Sequence, residues 1–180
     1  MSAHGIACFP TAIGACGVAW SEDGIVAVGL PETDADRLRR RLLRAARAGS
    51  REVPPPAAVA DAIARMVALL DGGDDDLAGV ELDLAGVPDF HRRVYAIARA
   101  IPPGATRTYG DIAAELGDLT ASRAVGQALG RNPVPIVVPC HRVLAAGGRL
   151  GGFSAHGGTA TKLRLLDIER VHARGVPTLF

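Results

Sequence analysis

A thiol stands beside an imidazole at Cys140-His141, and the chemistry open to such a pair is nucleophilic. A cysteine attacks as its thiolate, and a nearby base lowers the barrier to forming it. The pair lies near the end of the apolar run Asn132-Pro133-Val134-Pro135-Ile136-Val137-Val138-Pro139-Cys140-His141-Arg142-Val143, whose three prolines fix φ locally and keep it from becoming helical. Free cysteine is among the most buried residue types, so the dipeptide by itself reads more readily as packing than as catalysis. The remaining cysteines, Cys8 and Cys16, form neither an even disulfide set nor a CxxC pair, which favours a reducing compartment and leaves Cys140 free to react. With His4 they could hold zinc, but no fourth ligand stands at a recognisable spacing and no metal is expected. Asp74-Asp75-Asp76, in a Gly-rich stretch, reads as a solvated turn.

The elements that must position these groups can be read from periodicity. Short apolar runs at Ile6 to Phe9, Gly17 to Trp20 and Ile25 to Leu30 predict strands, the last two joined by a hairpin at Ser21-Glu22-Asp23-Gly24. Asp36 to Ala48 predicts an amphipathic helix with Leu38, Leu42, Leu43 and Ala46 on one face and Gly49 after its last turn. Pro54-Pro55-Pro56 breaks the chain before a second helix, Ala57 to Leu70, with Val59, Ile63, Met66, Val67 and Leu70 at helical spacing. Val80, Leu82 and Leu84 alternate with acids and predict a half-buried strand.

Further on, Phe90, Val94, Ile97 and Ile101 form a helical stripe stopped by Pro102-Pro103-Gly104. Tyr109 to Leu116 and Ser122 to Leu129, each followed by glycine, are spaced as a helix-turn-helix. The second of these is rich in small residues, which would let it approach a nucleic-acid groove, with Arg123 as its long cation. A last helix, Lys162 to Arg170, is expected to dock through Leu163, Leu166 and Ile168. There is no internal repeat or low-complexity linker.

With 180 residues and 48% hydrophobic content, the chain can bury the core of one or two domains. No apolar run reaches the length of a membrane span and no leader-like segment is recognised, so a soluble cytoplasmic protein with no membrane contact is expected. The overall charge of +1 hides a segregation: residues 1–85 carry 8 Arg against 13 acids (−5), and residues 86–180 carry 12 Lys+Arg against 6 acids (+6). A basic half beside an acidic one points to an anionic partner, with phosphate backbone the leading candidate.

Asn132-Pro133-Val134-Pro135 followed by Pro139-Cys140-His141-Arg142-Val143 resembles the active-site signature of the O6-alkylguanine-DNA alkyltransferases (methylated-DNA–protein-cysteine methyltransferases). The likeness is strongest from Pro103 to Val143, continues through Glu169, and is weaker in the N-terminal half. It implies an α+β fold: an N-terminal ribonuclease-H-like α/β domain over residues 1–85, then a winged-helix-like, helix-turn-helix domain over 86–180 that holds the site. The implied activity is direct damage reversal. An alkyl group, typically methyl, passes irreversibly from O6-alkylguanine in double-stranded DNA to an internal cysteine, with O4-alkylthymine as a further candidate substrate, no cofactor, and a monomer acting once.

The same resemblance implies the roles. Cys140 is the alkyl acceptor, His141 a water-linked base, Glu169 the carboxylate that orients the imidazole, and Asn132 a brace for the turn beneath them. Tyr109 matches the tyrosine that gives a proton to the guanine ring, which makes guanine a tolerable leaving group. Arg123 matches the finger that fills the duplex when the damaged base rotates out, with Ser122, Ala124, Gln127 and Thr108 alongside it at the DNA. Val143, through its backbone, and Ser154 match positions that hold the guanine oxygen; Pro139 and Phe153, the latter replacing the usual tyrosine, border the pocket. Arg142 is expected to pair within the domain. The stretch Ser154 to Thr161 is about two residues longer than the commoner family spacing, which bears on the alkyl groups accepted. Within it, His156 is more readily a solvated loop residue than a second base. The ending Pro177-Thr178-Leu179-Phe180 loosely resembles sliding-clamp-binding tails, though a frayed terminus suits it better. Two other classes compete: a non-catalytic lesion sensor or winged-helix regulator, whose family branch lacks the acceptor thiol, and a cysteine hydrolase, for which no oxyanion motif is visible.

Overall fold

The computed structural model describes residues 4–171, which leaves the tail Pro177-Thr178-Leu179-Phe180 outside the described residues. The fold is mixed α and β. The chain divides into two compact units, one of Met1–Gly86 with Pro133–Val137 and one of Val87–Asn132 with Val138–Phe180. A cut at 85/86 thus leaves Pro133–Val137 on the other side from the unit it packs in, where the Pro133 carbonyl accepts a hydrogen bond from Val28 N at 2.9 Å.

In the first unit, β1 (Gly5–Thr11), β2 (Gly14–Ser21) and β3 (Gly24–Gly29) form an antiparallel sheet in that order. Against it lies α1 (Ala35–Ala45), capped by Asp34, whose carboxylate accepts from Arg37 N at 2.7 Å. Leu38 and Leu42 of α1 pack with Ile6, Ala19 and Ala27 of the sheet. The approach is close enough that a Cβ on Gly29 would stand 2.4 Å from Leu38 and one on Gly17 2.5 Å from Leu42, so these two positions require glycine. Leu43, expected on the buried face, is 41% exposed. It lies one residue, about 100°, round the helix from Leu42 and misses the sheet.

The second helix, α2, runs Ala57–Leu70 and buries Val59, Ala62, Met66, Leu69 and Leu70; Ile63 and Val67 are only half-buried. The strand expected at Val80 to Leu84 does not form. Leu82 makes a single parallel bridge to Ile25, carried by Ile25 N to Glu81 O (2.9 Å) and Asp83 N to Ile25 O (3.0 Å). Alternation described the burial of Val80, but one bridge is too short a ladder for a strand. Asp75 accepts both donors of an Arg65 fork and caps Leu77 N, a local structural role.

In the second unit, α3 (Asp89–Arg99) buries Val94, Tyr95 and Ala98, and both α3 and α4 (Tyr109–Glu115) pack on α5 (Ser122–Gly130). The α4 start is fixed by a capping box in which Thr108 Oγ1 accepts from Asp111 N (3.1 Å) and Asp111 accepts from Thr108 N (2.7 Å). Before α4, β4 (Arg107–Thr108) pairs in parallel with β5 (Val143–Leu144). The last helix, α6, spans Gly158–Ile168 and packs on a 3₁₀ turn, Cys140–Arg142. It therefore takes up four residues of the stretch expected to be loop. Its buried positions are Lys162, Leu165 and Leu166, not Leu163.

Candidate active site

The site is built within the second unit. Cys140 opens the 3₁₀ turn, and its side chain sits over the first N–H groups of that turn, buried at 9% exposure. Asn132 braces the chain beneath it: Asn132 Nδ2 donates to Val138 O at 2.8 Å, and Cys140 N donates to the same carbonyl at 2.8 Å. Burial pushes the Cys140 thiol up from its ordinary value, against a hydrogen bond from Asn132, the charge of Lys162, and the turn's own N–H groups. The resting thiol is protonated.

His141 is buried, and its Nε2 lies 2.9 Å from Glu169 Oε1. A carboxylate only accepts, so Nε2 carries the proton and Nδ1, buried and bonded to no protein atom, presents a lone pair. Burial lowers the imidazole's affinity for a proton despite the Glu169 carboxylate, so His141 rests neutral. Glu169 is itself ionised. Burial works to raise it, but hydrogen bonds and charges from His141 and Arg142 outweigh that and hold it at about 2. The two shifts do not describe a resting His141–Glu169 ion pair; with the imidazole neutral, the cation that keeps Glu169 charged is Arg142. Arg142 is 1% exposed, donates to both Glu169 oxygens (2.8 and 2.9 Å) and to Ile101 O (2.6 Å). Cys140 and His141 thus both rest neutral, with His141 Nδ1 open as a proton acceptor.

A cavity of about 410 Å³ opens over Cys140. Its walls are Tyr109 of α4, Gly126, Leu129 and Gly130 of α5, and the Gly152-Phe153-Ser154 segment. This volume is in the range of small-molecule sites, about 300–1,000 Å³. Burial raises the Tyr109 hydroxyl, and the charge of Cys140 raises it further, so the phenol keeps its proton at neutral pH. Phe153 and Ser154 line the cavity; Pro139 and Val143, both buried, are not among the described residues that do. The Val143 N–H already donates to Cys140 O and its carbonyl accepts from Lys162, so a guanine oxygen would have to share that N–H.

On α5, Arg123 and Gln127 are exposed one turn apart, with Ser122 and Ala124 half-buried beside them. The helix that carries Arg123 thus also forms a cavity wall. Thr108 is committed to its capping box. His156 is exposed and lies outside the described lining. Among the described residues no cluster of three potential metal ligands occurs.

Sequence reasoning missed Lys162, which is fully buried and donates from Nζ to Val143 O (2.6 Å) and Gly152 O (3.3 Å). Its signal was present: it is the only lysine in a chain with 19 arginines.

Residues 89–171 match the model of the 6-O-methylguanine DNA methyltransferase, DNA-binding domain, family. A methylated-DNA–protein-cysteine methyltransferase of Mycolicibacterium paratuberculosis is 46% identical over 69% of this chain and 73% of its own length. One from Methanothermobacter thermautotrophicus is 35% identical over 88% of this chain and 81% of its own. In structure, the chain is similar to Mycobacterium tuberculosis OGT in complex with DNA, with a TM-score of 0.72 and 35% identity over 92% of each chain. The O6-methylguanine-DNA methyltransferase of Pyrococcus kodakaraensis matches with a TM-score of 0.71 and 30% identity, over 92% of this chain and 99% of that one. A buried thiol at the floor of the cavity, next in the chain to an imidazole held by a carboxylate, is the site of a cysteine nucleophile. The chain belongs to the methylated-DNA–protein-cysteine methyltransferase family.

Proposed function

We propose that this protein repairs alkylated DNA by moving the alkyl group of O6-alkylguanine irreversibly onto Cys140, once per molecule. The observation that carries the reading is the Cys140 thiol at the cavity floor, with the His141–Glu169 relay behind it and the Tyr109 phenol in the cavity wall. With the damaged base rotated into the cavity, the Cys140 proton passes to Nδ1 of His141, directly or through water, as imidazolium forms against Glu169. The sulfur then attacks the alkyl carbon in line, the C–O6 bond breaks, and its electron pair passes into the guanine ring, which takes a proton from Tyr109. The imidazolium proton restores Tyr109, so the net change is a proton gained by guanine and a thioether on Cys140. A thioether offers no good leaving group, and no described group is placed to cleave it.

Cys8 and Cys16 are poor competitors, since both lie in the first unit and neither is among the residues that line the cavity. In this reading α5 meets the duplex, with Arg123 taking the place of the extruded base and Ser122, Ala124 and Gln127 beside it. The antiparallel sheet with α1 against it supports a ribonuclease-H-like first domain, and α4–α5 with the β4–β5 pair supports a winged-helix-like second one. The reading includes a monomer, supported by a cavity whose lining lies in one unit, and a cytoplasmic location, supported by a DNA substrate; among the described residues no helix is long and apolar enough to cross a membrane.

Peptide mapping after incubation with a duplex containing O6-methylguanine tests the assignment. The methyl group is expected on the Cys140 peptide, and Cys140→Ala should bind the duplex and acquire no methyl. Methyl on Cys8 or Cys16, or release of product without any adduct, would refute it.

A further inference from the structure

We propose that Lys162 is a positioning residue for this reaction, whose buried ammonium group steadies the Cys140 thiolate as it forms and the Tyr109 phenolate as its proton leaves, while remaining protonated itself. The inference rests on the function proposed above. Lys162 projects from α6 with no exposed surface, and its Nζ lies 5.8 Å from the centroid of the Tyr109 ring. Its two carbonyl acceptors are Val143 O, three residues beyond the nucleophile, and Gly152 O, in the cavity wall. Among the described residues it has no carboxylate partner. That is costly, because a buried cation without a counter-charge loses its hydration and gains little in return. The cost is reduced when an anion appears nearby, and the reaction generates two.

The titratable groups facing this charge all belong to the second unit. They are Tyr109 from α4, and Cys140 and His141 from the 3₁₀ turn; Tyr95 of α3 also responds to the charge on Cys140. Arg142 and Glu169 are engaged with each other. Burial draws Lys162 down to about 8 while the Cys140 charge pulls the other way, so the ammonium persists at neutral pH and is coupled to the thiol. The same charge opposes protonation of His141, so Lys162 does not drive the internal proton transfer. It lowers the energy of the thiolate whichever base has taken the proton, and later that of the phenolate whose proton has gone to guanine.

Iodoacetamide labelling of the Cys140 peptide as a function of pH reads the thiolate without any alkylguanine chemistry. Lys162→Met should slow both labelling and methyl transfer at neutral pH about tenfold, and the difference in labelling should close above about pH 8 as the native ammonium loses its proton. Lys162→Arg should recover part of the neutral-pH rate. An unmoved profile in folded Lys162→Met would overturn the proposal. Should Lys162→Met fail to fold, the sole lysine still allows a test on the native fold, because ¹⁵N-lysine labelling gives a single side-chain resonance. That resonance should titrate near 8 in the native protein; a lysine that loses its proton below neutrality would contradict the proposal, because no ammonium would be present when the thiolate forms. If these labelling effects occur but the protein takes no methyl from DNA, the proposed function fails and the coupling stands.

Discussion

At the scale of single residues, Glu169 serves two donors with different purposes. Its fork with Arg142 holds the carboxylate in place and charged, and its bond to His141 Nε2 fixes the tautomer that leaves Nδ1 free to accept the thiol proton. Glu169→Gln keeps an acceptor for the imidazole but removes the charge that stabilises the imidazolium formed during transfer. The pH profile of methyl transfer should therefore move to alkaline pH, with slower transfer at neutrality. The same change leaves Arg142 buried without its counter-charge, and breaking such a pair costs about 3–5 kcal/mol, so the melting temperature should fall as well. An unchanged profile in folded Glu169→Gln would remove Glu169 from the relay. Because the folded-state carboxyl lies below its ordinary value, the stability it contributes is complete above about 4.5 and is lost as pH falls through about 2. Acid titration of stability should consequently be flatter between those values in Glu169→Gln than in the native protein.

Among the elements, α5 has two faces for the proposed repair: one closes the cavity with Gly126, Leu129 and Gly130, while Arg123 and Gln127 stand exposed on the other. Arg123→Ala should slow transfer from duplex DNA far more than transfer from free O6-benzylguanine, since the free base needs no unstacking. Equal losses on both substrates would contradict the finger role. At the start of α4, Thr108→Ala removes one half of the capping box and should lower stability by about 0.5–2 kcal/mol, read from denaturant unfolding. If DNA affinity falls without that loss of stability, Thr108 acts at the DNA and not through the cap. The element least legible in the sequence was α6. Its buried stripe, Lys162, Leu165, Leu166 and Glu169, follows helical spacing but has a charged residue at each end, so a hydrophobic pattern shifts the face toward Leu163. By contrast α2 was readable to its boundaries, since Pro54-Pro55-Pro56 and Gly72-Gly73 punctuate it. The expected strand at Val80 failed for the opposite reason: a true alternation with too few partners along β3.

For the molecule as a whole, the segregation of charge gives the +6 half both the cavity and the α4–α5 helix pair. Neutralising phosphates releases counterions, so duplex affinity should fall steeply as salt rises, and salt-insensitive binding would count against this surface. Most of the proposed catalytic set was legible because it lies in one contiguous motif, Asn132 to Val143, plus Tyr109 and Glu169. What the sequence could not convey was protonation, since it is burial that favours the neutral forms of Cys140 and His141, and it concealed a cation with no carboxylate beside it. The central claim is that one thiol is consumed per repair event, and intact mass after incubation with excess O6-methylguanine duplex tests it most directly. The protein should gain a single methyl mass and then stop, with demethylated guanine equal to protein in amount. Demethylated guanine continuing to accumulate beyond the amount of protein would contradict it.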